Sequence, residues 1–244
     1  IMSELFVKST INPQRFQIEN VKDDNACFYR AVANYMNFFH LELEQLTLNK
    51  SIKLKKYKKI EDVYKNKDWG FYSEKQDLLA RYIQSSIVEW IKINIDNVFD
   101  DSGLKLKELI FLTHNIDFET YLDRYKYFAG DSVIVQDELT NCEYNMENRW
   151  GGLPEQIALS EILKCPIVIM TSQSYNIKKK KIYTGRIRNN KADKNVRFKL
   201  AQIIGEKYKN SIGAIYLMWK NTKSGGHYYC LYPKKNFDIF RHIG

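Results

Sequence analysis

The spacing of apolar residues changes near residue 165. Before this point apolar side chains recur at helical intervals, most clearly in one stripe along 74–98. After it they come in short runs bounded by glycine, proline or polar residues, as in buried strands. These runs are 166–170, 213–219 and 227–232. A chain with its helices first and a sheet mostly near its C-terminus is predicted to have an α+β fold, arranged as an α/β/α sandwich.

The same patterns give approximate boundaries for the other elements. Helices are predicted at Cys27 to about Leu46, 74–98, 104–113, 117–127 and 154–164. Residues 1–20 have some strand character, and 129–150 is predicted to be irregular. Segments 180–187 and 196–203 are predicted to pair as two strands that flank a basic loop. No repeat and no Pro/Gly/Ser-rich linker divides the chain, so 1–244 is expected to form a single domain.

Composition excludes several classes of protein. The chain is 44% hydrophobic and 27% charged, as in ordinary globular proteins, and no apolar run approaches the roughly 18 residues of a membrane helix. Its four cysteines, at 27, 142, 165 and 230, are spaced for neither a zinc site nor a disulfide framework. We therefore expect reduced thiols, no metal and no cofactor, in an intracellular, cytoplasmic protein. For a virus or an intracellular microbe, that compartment would be the host cytoplasm.

The net charge of +9 would attract acidic partners or nucleic acid. Much of this charge lies in two lysine-rich runs, 53–59 and 178–181. Solvated loop or helix faces explain most runs of this kind. Nucleic acid is therefore the least favoured partner, and no membrane partner is expected.

Cys27 begins the first predicted helix, directly after the turn and N-cap residues Asp24-Asn25-Ala26. A helix N-terminus favours a thiolate through its dipole and its free N–H groups. The same N–H groups can bind the oxyanion of a tetrahedral intermediate. Taken alone, such a cysteine is more often a buried core residue.

His227 is the candidate base for this thiol. It follows Gly225-Gly226 and begins an apolar strand, although a partly buried structural histidine is the commoner interpretation of such a residue alone. The other histidines are predicted within a helix (His40), in a connection (His114) and near the terminus (His242). A cysteine early and a histidine 200 residues later is the chain order of papain-like peptidases. In those enzymes the histidine takes the thiol proton and later protonates the leaving amine.

Three blocks of sequence resemble the signature blocks of the ovarian-tumour (OTU) family of cysteine deubiquitinases. They are Asp24-Asn25-Ala26-Cys27-Phe28-Tyr29-Arg30-Ala31, then Trp150-Gly151-Gly152 with Glu155, Ala158-Leu159-Ser160 and Pro166-Ile167-Val168-Ile169, and finally His227-Tyr228 with its apolar strand. The blocks occur in the family's order. The resemblance implies a papain-like fold and hydrolysis of the isopeptide bond after the C-terminal glycine of ubiquitin. Residues 46–149 match no block and are expected to form an enlarged helical insertion.

The resemblance also implies which residues form the site. It gives catalytic roles to Asp24, to Cys27 as nucleophile and to His227 as general base, and oxyanion-loop roles to Asn25 and Ala26. It gives substrate-binding roles to Trp150, Gly151, Gly152, Glu155 and Tyr228, around a narrow cleft for the tail of ubiquitin or polyubiquitin. Trp150 with its glycines is equally compatible with a core tryptophan at a helix entry. Glu155 is also compatible with a first-turn carboxylate that the helix dipole favours.

Two positions depart from the family pattern. Asn25 stands where glycine is usual, which is a mild change because asparagine tolerates a left-handed backbone. Tyr229 stands where many members place the Asp or Asn that orients the histidine. A strand puts Tyr229 on the same face as the histidine, but a phenol cannot supply a carboxylate. Asp24 is therefore carried over as the third active-site residue, either to orient His227 or to fix the oxyanion loop, with Asp23 and Glu19 as alternatives.

The predicted function is a deubiquitinase, with ubiquitin-like modifiers as a further class of substrate. The alternative is a catalytically weak OTU-like module that binds ubiquitin or a host protein, because Tyr229 breaks the usual pattern. A third hypothesis, a nucleic-acid-binding protein, depends on the lysine-rich runs alone.

Overall fold

The structure is a computed structural model that describes most of the chain. It covers residues 10–39, 74–99, 103–136, 143–145, 150–176, 179, 181–188, 190–210, 213–222, 225–234 and 237–243. Three parts of the sequence prediction lie outside these residues. They are the first helix beyond residue 39, the lysine-rich run 53–59, and residues 178 and 180 of the second run. The predicted insertion, 46–149, is described only in part.

The described residues contain helices in every place where the sequence predicts them. They are α1 (Cys27–Phe39), α2 (Glu74–Asn94), α3 (Leu106–His114), α4 (Phe118–Tyr125), α5 (Leu153–Leu163) and the short α6 (Phe240–Ile243). The helix α2 ends at Asn94 rather than near 98, because the chain turns there and Val98 forms an isolated bridge with Lys105. None of the described helices has both the length and the apolar character needed to cross a membrane.

Strands occupy the C-terminal part of the chain and a few short segments before it. They are β1 (Phe16–Glu19), β2 (Ile134–Gln136), β3 (Glu143–Asn145), β4 (Ile167–Asn176), β5 (Lys181–Thr184), β6 (Ile187–Arg188), β7 (Lys191–Ala192), β8 (Val196–Ile204), β9 (Ile215–Thr222) and β10 (Gly225–Pro233). The three predicted buried strands correspond to β4, β9 and β10. The segment predicted to be irregular, 129–150, contains the hairpin of β2 and β3.

Six of these strands form one mixed sheet, in the order β1-β10-β9-β4-β5, with β8 also paired to β4. The strands β4 and β9 are parallel, and the other pairs are antiparallel. Residues 167–171 of β4 pair with both β9 and β8, so these two strands lie on opposite sides of β4. The protein therefore has the α+β architecture that the sequence predicts, with a mixed sheet.

The predicted pairing of 180–187 with 196–203 is wrong. Both segments contain strands, but β5 and β8 each pair with β4 and lie on its two sides. The strand β4 has ten residues where the sequence suggests five. This length lets β9 and β5 follow one another along one side of β4 while β8 covers the other side.

The helix α1 lies between the sheet and α2, and this position explains its nearly continuous apolar sequence. Residues 26 to 37 are all buried. Toward the sheet, the Phe28 ring meets the Tyr228 ring edge-on at 5.4 Å. Toward α2, the amide of Gln76 donates to Asn34 Oδ1 at 2.6 Å. The packing of α1 against β10 thus brings the cysteine at the N-terminus of α1 to the amino end of the strand that carries His227.

Candidate active site

Cys27 is the first residue of α1, and its side chain is buried. The backbone N–H groups of Tyr228 and Phe28 hydrogen-bond to its sulfur. Tyr228 follows His227 on β10, so the thiol lies beside the strand that carries the candidate base. The sheet therefore joins two residues that are 200 positions apart in the chain.

The imidazole of His227 is held by Asn20, a residue that the sequence analysis did not identify. Asn20 Oδ1 lies 2.8 Å from His227 Nε2. The amide oxygen can only accept a hydrogen bond, so Nε2 carries the proton and Nδ1 is left as the base. Asn20 follows directly on β1, which pairs with β10. The strand order, which the sequence does not reveal, is what places Asn20 here.

The second ring nitrogen of His227 faces Asp23. Asp23 Oδ1 lies 3.1 Å from Nδ1, but the contact lacks the alignment of a hydrogen bond. Nδ1 therefore has no aligned partner among the described residues and is available to take a proton. Tyr229 contacts His227 through its ring, edge-on at 4.7 Å between centroids. The phenol at this position thus packs against the imidazole, and Asn20 supplies the polar contact.

Both reacting groups are neutral in this arrangement at pH 7. Burial raises the pKa of the Cys27 thiol to about 12, and the N–H groups of Tyr228 and Phe28 offset this only in part. Burial also lowers the pKa of His227, against the opposing effect of the Asp23 carboxylate. The candidate site therefore holds a protonated thiol and a neutral imidazole.

The alkylation rate of Cys27 in the free protein should reflect this protonation state. We expect iodoacetamide to modify Cys27 slowly at pH 7, with a rate that rises about tenfold per pH unit from pH 7 to pH 9, because only the thiolate reacts. Peptide mass spectrometry would give the rate at Cys27 separately from those of the other cysteines. A rate that stays constant between pH 6 and pH 8 would contradict this prediction and indicate a preformed thiolate–imidazolium pair.

Asp24 holds the cysteine loop and does not contact His227. Its carboxylate accepts a hydrogen bond from the N–H of Ala26 at 3.0 Å. It also pairs with the buried Arg30 guanidinium, with 3.0 Å between Asp24 Oδ2 and Arg30 Nη2. Arg30 also contacts Asp77 of α2 at 2.7 Å. Of the two roles the sequence left open, orienting the histidine or fixing the loop, the contacts support the second. They also correct the prediction for Ala26, because its N–H is already bonded to Asp24.

Glu19 is not the orienting residue either. It is buried on β1, paired with Cys230 of β10. Burial raises the pKa of Glu19 to about 8, and its Oε2 has no hydrogen-bond partner among the described residues. Its nearest titratable neighbours are Cys230 and Tyr232, on the face of β10 against which α1 packs.

Trp150 and Gly151 run over the N-terminus of α1. The Trp150 indole donates to Asn25 Oδ1 at 2.6 Å, and the side chain is 40% exposed. This exposure argues against a core tryptophan. A Cβ on Gly151 would lie 2.1 Å from the Phe28 ring, so only glycine fits there. The segment thus forms one wall over the cysteine loop, as a substrate-binding role requires.

Glu155 lies in the interior, where it cannot meet a substrate. Its carboxylate accepts from the N–H of Gly152 and from the Tyr121 hydroxyl, both at 2.7 Å, and from His114 Nε2 at 3.1 Å. The side chain is fully buried. These contacts favour the interpretation of Glu155 as a first-turn carboxylate over the predicted substrate-binding role. Glu155 fixes Gly152, the last residue of the Trp-Gly-Gly segment.

Tyr228 has a structural side chain. It is buried, its ring packs on Phe28, and its hydroxyl accepts from Gln156 Nε2 at 2.8 Å. This burial disfavours the predicted substrate contact through the Tyr228 side chain. The backbone N–H of Tyr228, in contrast, contacts the thiol of Cys27. Position along the strand, and not side-chain type, makes this residue part of the site.

Among the described residues no group of three or more His, Cys, Asp and Glu side chains could hold a metal ion. The candidate site consists of the Cys27 thiol, the His227 imidazole and the Asn20 amide, with the exposed Trp150 indole above the cysteine loop. A scan of protein-family models and a search of curated proteins found no match to this chain.

Proposed function

We propose that this protein is a thiol isopeptidase of the papain-like, OTU type that removes ubiquitin. The observation that carries the proposal is the arrangement of Cys27, His227 and Asn20. The thiol lies at the N–H of the residue after His227, and Asn20 holds the far nitrogen of the imidazole. A nucleophile, a base and a group that orients the base are the three parts that thiol peptidases need.

Each part has one task in the reaction. The sulfur of Cys27 attacks the carbonyl carbon of the scissile bond while its proton passes to Nδ1 of His227. The imidazolium then protonates the leaving amine, and a thioester remains on Cys27. Water loses a proton to Nδ1 as it attacks this thioester, and the released sulfur recovers the proton. Asn20 keeps Nδ1 as the free nitrogen throughout, because its oxygen retains the proton on Nε2.

The side-chain amide of Asn25 is the donor that we expect to bind the oxyanion, because the neighbouring backbone N–H groups already have acceptors. The N–H groups of Ala26 and Cys27 are bonded to Asp24, at 3.0 Å and 3.1 Å. Trp150 holds the oxygen of the Asn25 amide, and the amide nitrogen donates to no described residue. This free donor stands two residues before the nucleophile, in the place of the family's glycine.

Ubiquitin is proposed as the substrate because of the sequence resemblance. The wall that Trp150 and Gly151 form over the cysteine loop is compatible with this substrate. Gly151 lies directly against the Phe28 ring, so the Trp-Gly-Gly segment passes close to the first turn of α1. The polar contact from Asn20 removes the main reason for the alternative, a catalytically weak binding module. Such an enzyme would act in the cytoplasm, where its thiol stays reduced.

A ubiquitin probe with a C-terminal electrophile tests the proposal. We expect the purified protein to gain the mass of one ubiquitin, with the bond at Cys27, because the attacking sulfur is trapped by the probe. The Cys27→Ala variant should form no adduct. Cys165→Ala is the matched control, since Cys165 is another buried cysteine and its variant should react fully. Tight binding without a covalent adduct would favour the binding module, and no interaction with the probe would exclude ubiquitin as the substrate.

A further inference from the structure

One segment of the protein, 177–199, here called the basic arm, is strongly positive. This segment contains ten Lys and Arg residues and one Asp, a net charge of +9. The other 221 residues contain 28 Lys and Arg and 28 Asp and Glu, so their charges sum to zero, although the run 53–59 has five lysines. The basic arm is therefore a concentration of positive charge in the part of the chain that the structure largely describes.

Six exposed cations of the basic arm have no acidic partner within salt-bridge distance among the described residues. They are Lys179, Arg186, Arg188, Lys191, Lys194 and Lys199. Several lysines outside the arm are paired with carboxylates. Lys92 pairs with Glu89 at 2.5 Å, and Lys107 pairs with Asp96 at 2.7 Å. The arm thus presents cations that no described group neutralises.

One pair in the arm opposes folding. Arg188 of β6 and Lys191 of β7 face each other directly across the hairpin. Like charges in this position destabilise a strand pair. The turn between them includes Asn190, whose φ of 60° lies in the left-handed region that asparagine tolerates. This like-charged pair has no counter-ion among the described residues. An anionic group of a ligand could therefore bind between Arg188 and Lys191.

The tip of the arm touches the candidate active site. The side-chain oxygen of Asn190 accepts from the backbone N–H of Asn20 at 3.1 Å. The side chain of the same Asn20 holds His227. A ligand bound to Arg188 and Lys191 would therefore lie next to the residues that perform the proposed reaction.

The composition of the arm favours a protein ligand over nucleic acid. The strand β5 exposes Ile182 (55%) and Tyr183 (44%), and it pairs on only one side within the described residues. An edge strand with exposed apolar side chains can bind an extended peptide by strand addition. Strand addition needs an extended polypeptide, and an apolar surface mixed with arginine is typical of protein interfaces.

We propose that the basic arm docks an acidic segment of the protein conjugated to ubiquitin, next to the isopeptide bond to be cleaved. This inference rests on the proposed function and specifies its preferred substrates. The arm would supply affinity through Arg188, Lys191 and their neighbours, and β5 would add backbone contacts. Conjugates with clustered Asp and Glu near the modified lysine would be processed faster than neutral ones.

Binding and turnover of matched peptides test this proposal. One labelled peptide carries clustered Asp and Glu around a lysine, and its control carries Asn and Gln in their places. Fluorescence anisotropy gives the Kd of each peptide, and the same peptides joined to ubiquitin through the lysine give kcat/KM. The double variant Arg188→Glu with Lys191→Glu keeps a like-charged pair in the hairpin, so its cross-strand repulsion is unchanged. Lys209→Glu with Lys234→Glu is the control, with the same change in charge on exposed residues outside the arm.

The wild-type protein and the control variant should bind the acidic peptide at least about tenfold more tightly than the neutral one at about 0.15 M salt. The arm variant should lose this preference, both in Kd and in kcat/KM. Equal losses in the arm and control variants would overturn the proposal, as would wild-type affinity for single-stranded RNA without affinity for the acidic peptide. The peptide Kd needs no catalysis, so a failure of the proposed function would appear separately, as absent turnover of both conjugates.

Discussion

Replacing Asn20 with alanine should lower kcat/KM for a fluorogenic ubiquitin substrate about 100-fold, since a misaligned base forfeits much of its contribution to the rate. The alanine variant loses the oxygen 2.8 Å from His227 Nε2. It keeps the backbone N–H that donates to Asn190, so the position of the chain is preserved. Without the amide, the imidazole can rotate and can carry its proton on Nδ1. Steady-state kinetics with the Tm of each variant would separate this loss from unfolding.

Two further variants test which residue orients His227. Asn20→Asp should keep much of the activity, but its carboxylate should raise the pKa of His227 and move the acid limb of the pH profile to higher pH. Tyr229→Phe keeps the ring that packs edge-on against the imidazole and removes only the hydroxyl. If Tyr229→Phe loses as much activity as Asn20→Ala, the phenol is the orienting group and Asn20 is not.

Replacing Glu155 with alanine should lower the free energy of unfolding by about 3–5 kcal/mol, which is the usual effect of breaking a buried ionic pair. The fully buried carboxylate accepts hydrogen bonds from Gly152, Tyr121 and His114. Its loss leaves three buried donors without their acceptor. Urea denaturation would measure the change. Glu119→Ala removes an exposed first-turn carboxylate of α4 and should cost less than about 1 kcal/mol.

The contribution of His114 to this stability should depend on pH. Burial lowers the pKa of His114, but the Glu155 carboxylate raises it more, so the pKa in the folded protein lies above 6.5. The folded state then binds more protons than the unfolded state between pH 6.5 and the raised pKa. This stabilisation is complete below pH 6.5 and is lost as the pH rises through the raised pKa. A Glu155→Gln variant whose stability has the same pH dependence in this window would contradict the assignment.

The fold was predictable where local pattern determines structure. Apolar periodicity located the helices and the buried strands, because each element buries one stripe or one run. The sheet order was not predictable, because pairing depends on contacts between distant segments. The wrong pairing of 180–187 with 196–203 is an example. Nothing in either segment shows that β4 is long enough to lie between them.

The site was predictable for the residues whose chemistry is rare, and less so for those that support them. A cysteine at a helix start and a histidine at a strand start are each weak signals alone, and their place in the matching sequence blocks makes them candidates. Asparagine is common in turns, so Asn20 had no signal of its own apart from its place after β1. The residues Glu155 and Tyr228 belong to two of the matching sequence blocks, but their side chains are buried and make internal contacts. Burial follows from tertiary packing, which the sequence blocks do not report.

The pairing of β1 with β10 has a consequence for how the protein is made. Asn20 and His227 are 207 residues apart, and they meet only when the penultimate element of the chain joins the sheet. Proteins dominated by such distant contacts fold slowly, and their N-terminal parts emerge first during synthesis. In a nascent chain, Cys27 is therefore made about 200 residues before His227. The proposed thiol–imidazole pair can form only after β10 has been made and has joined the sheet.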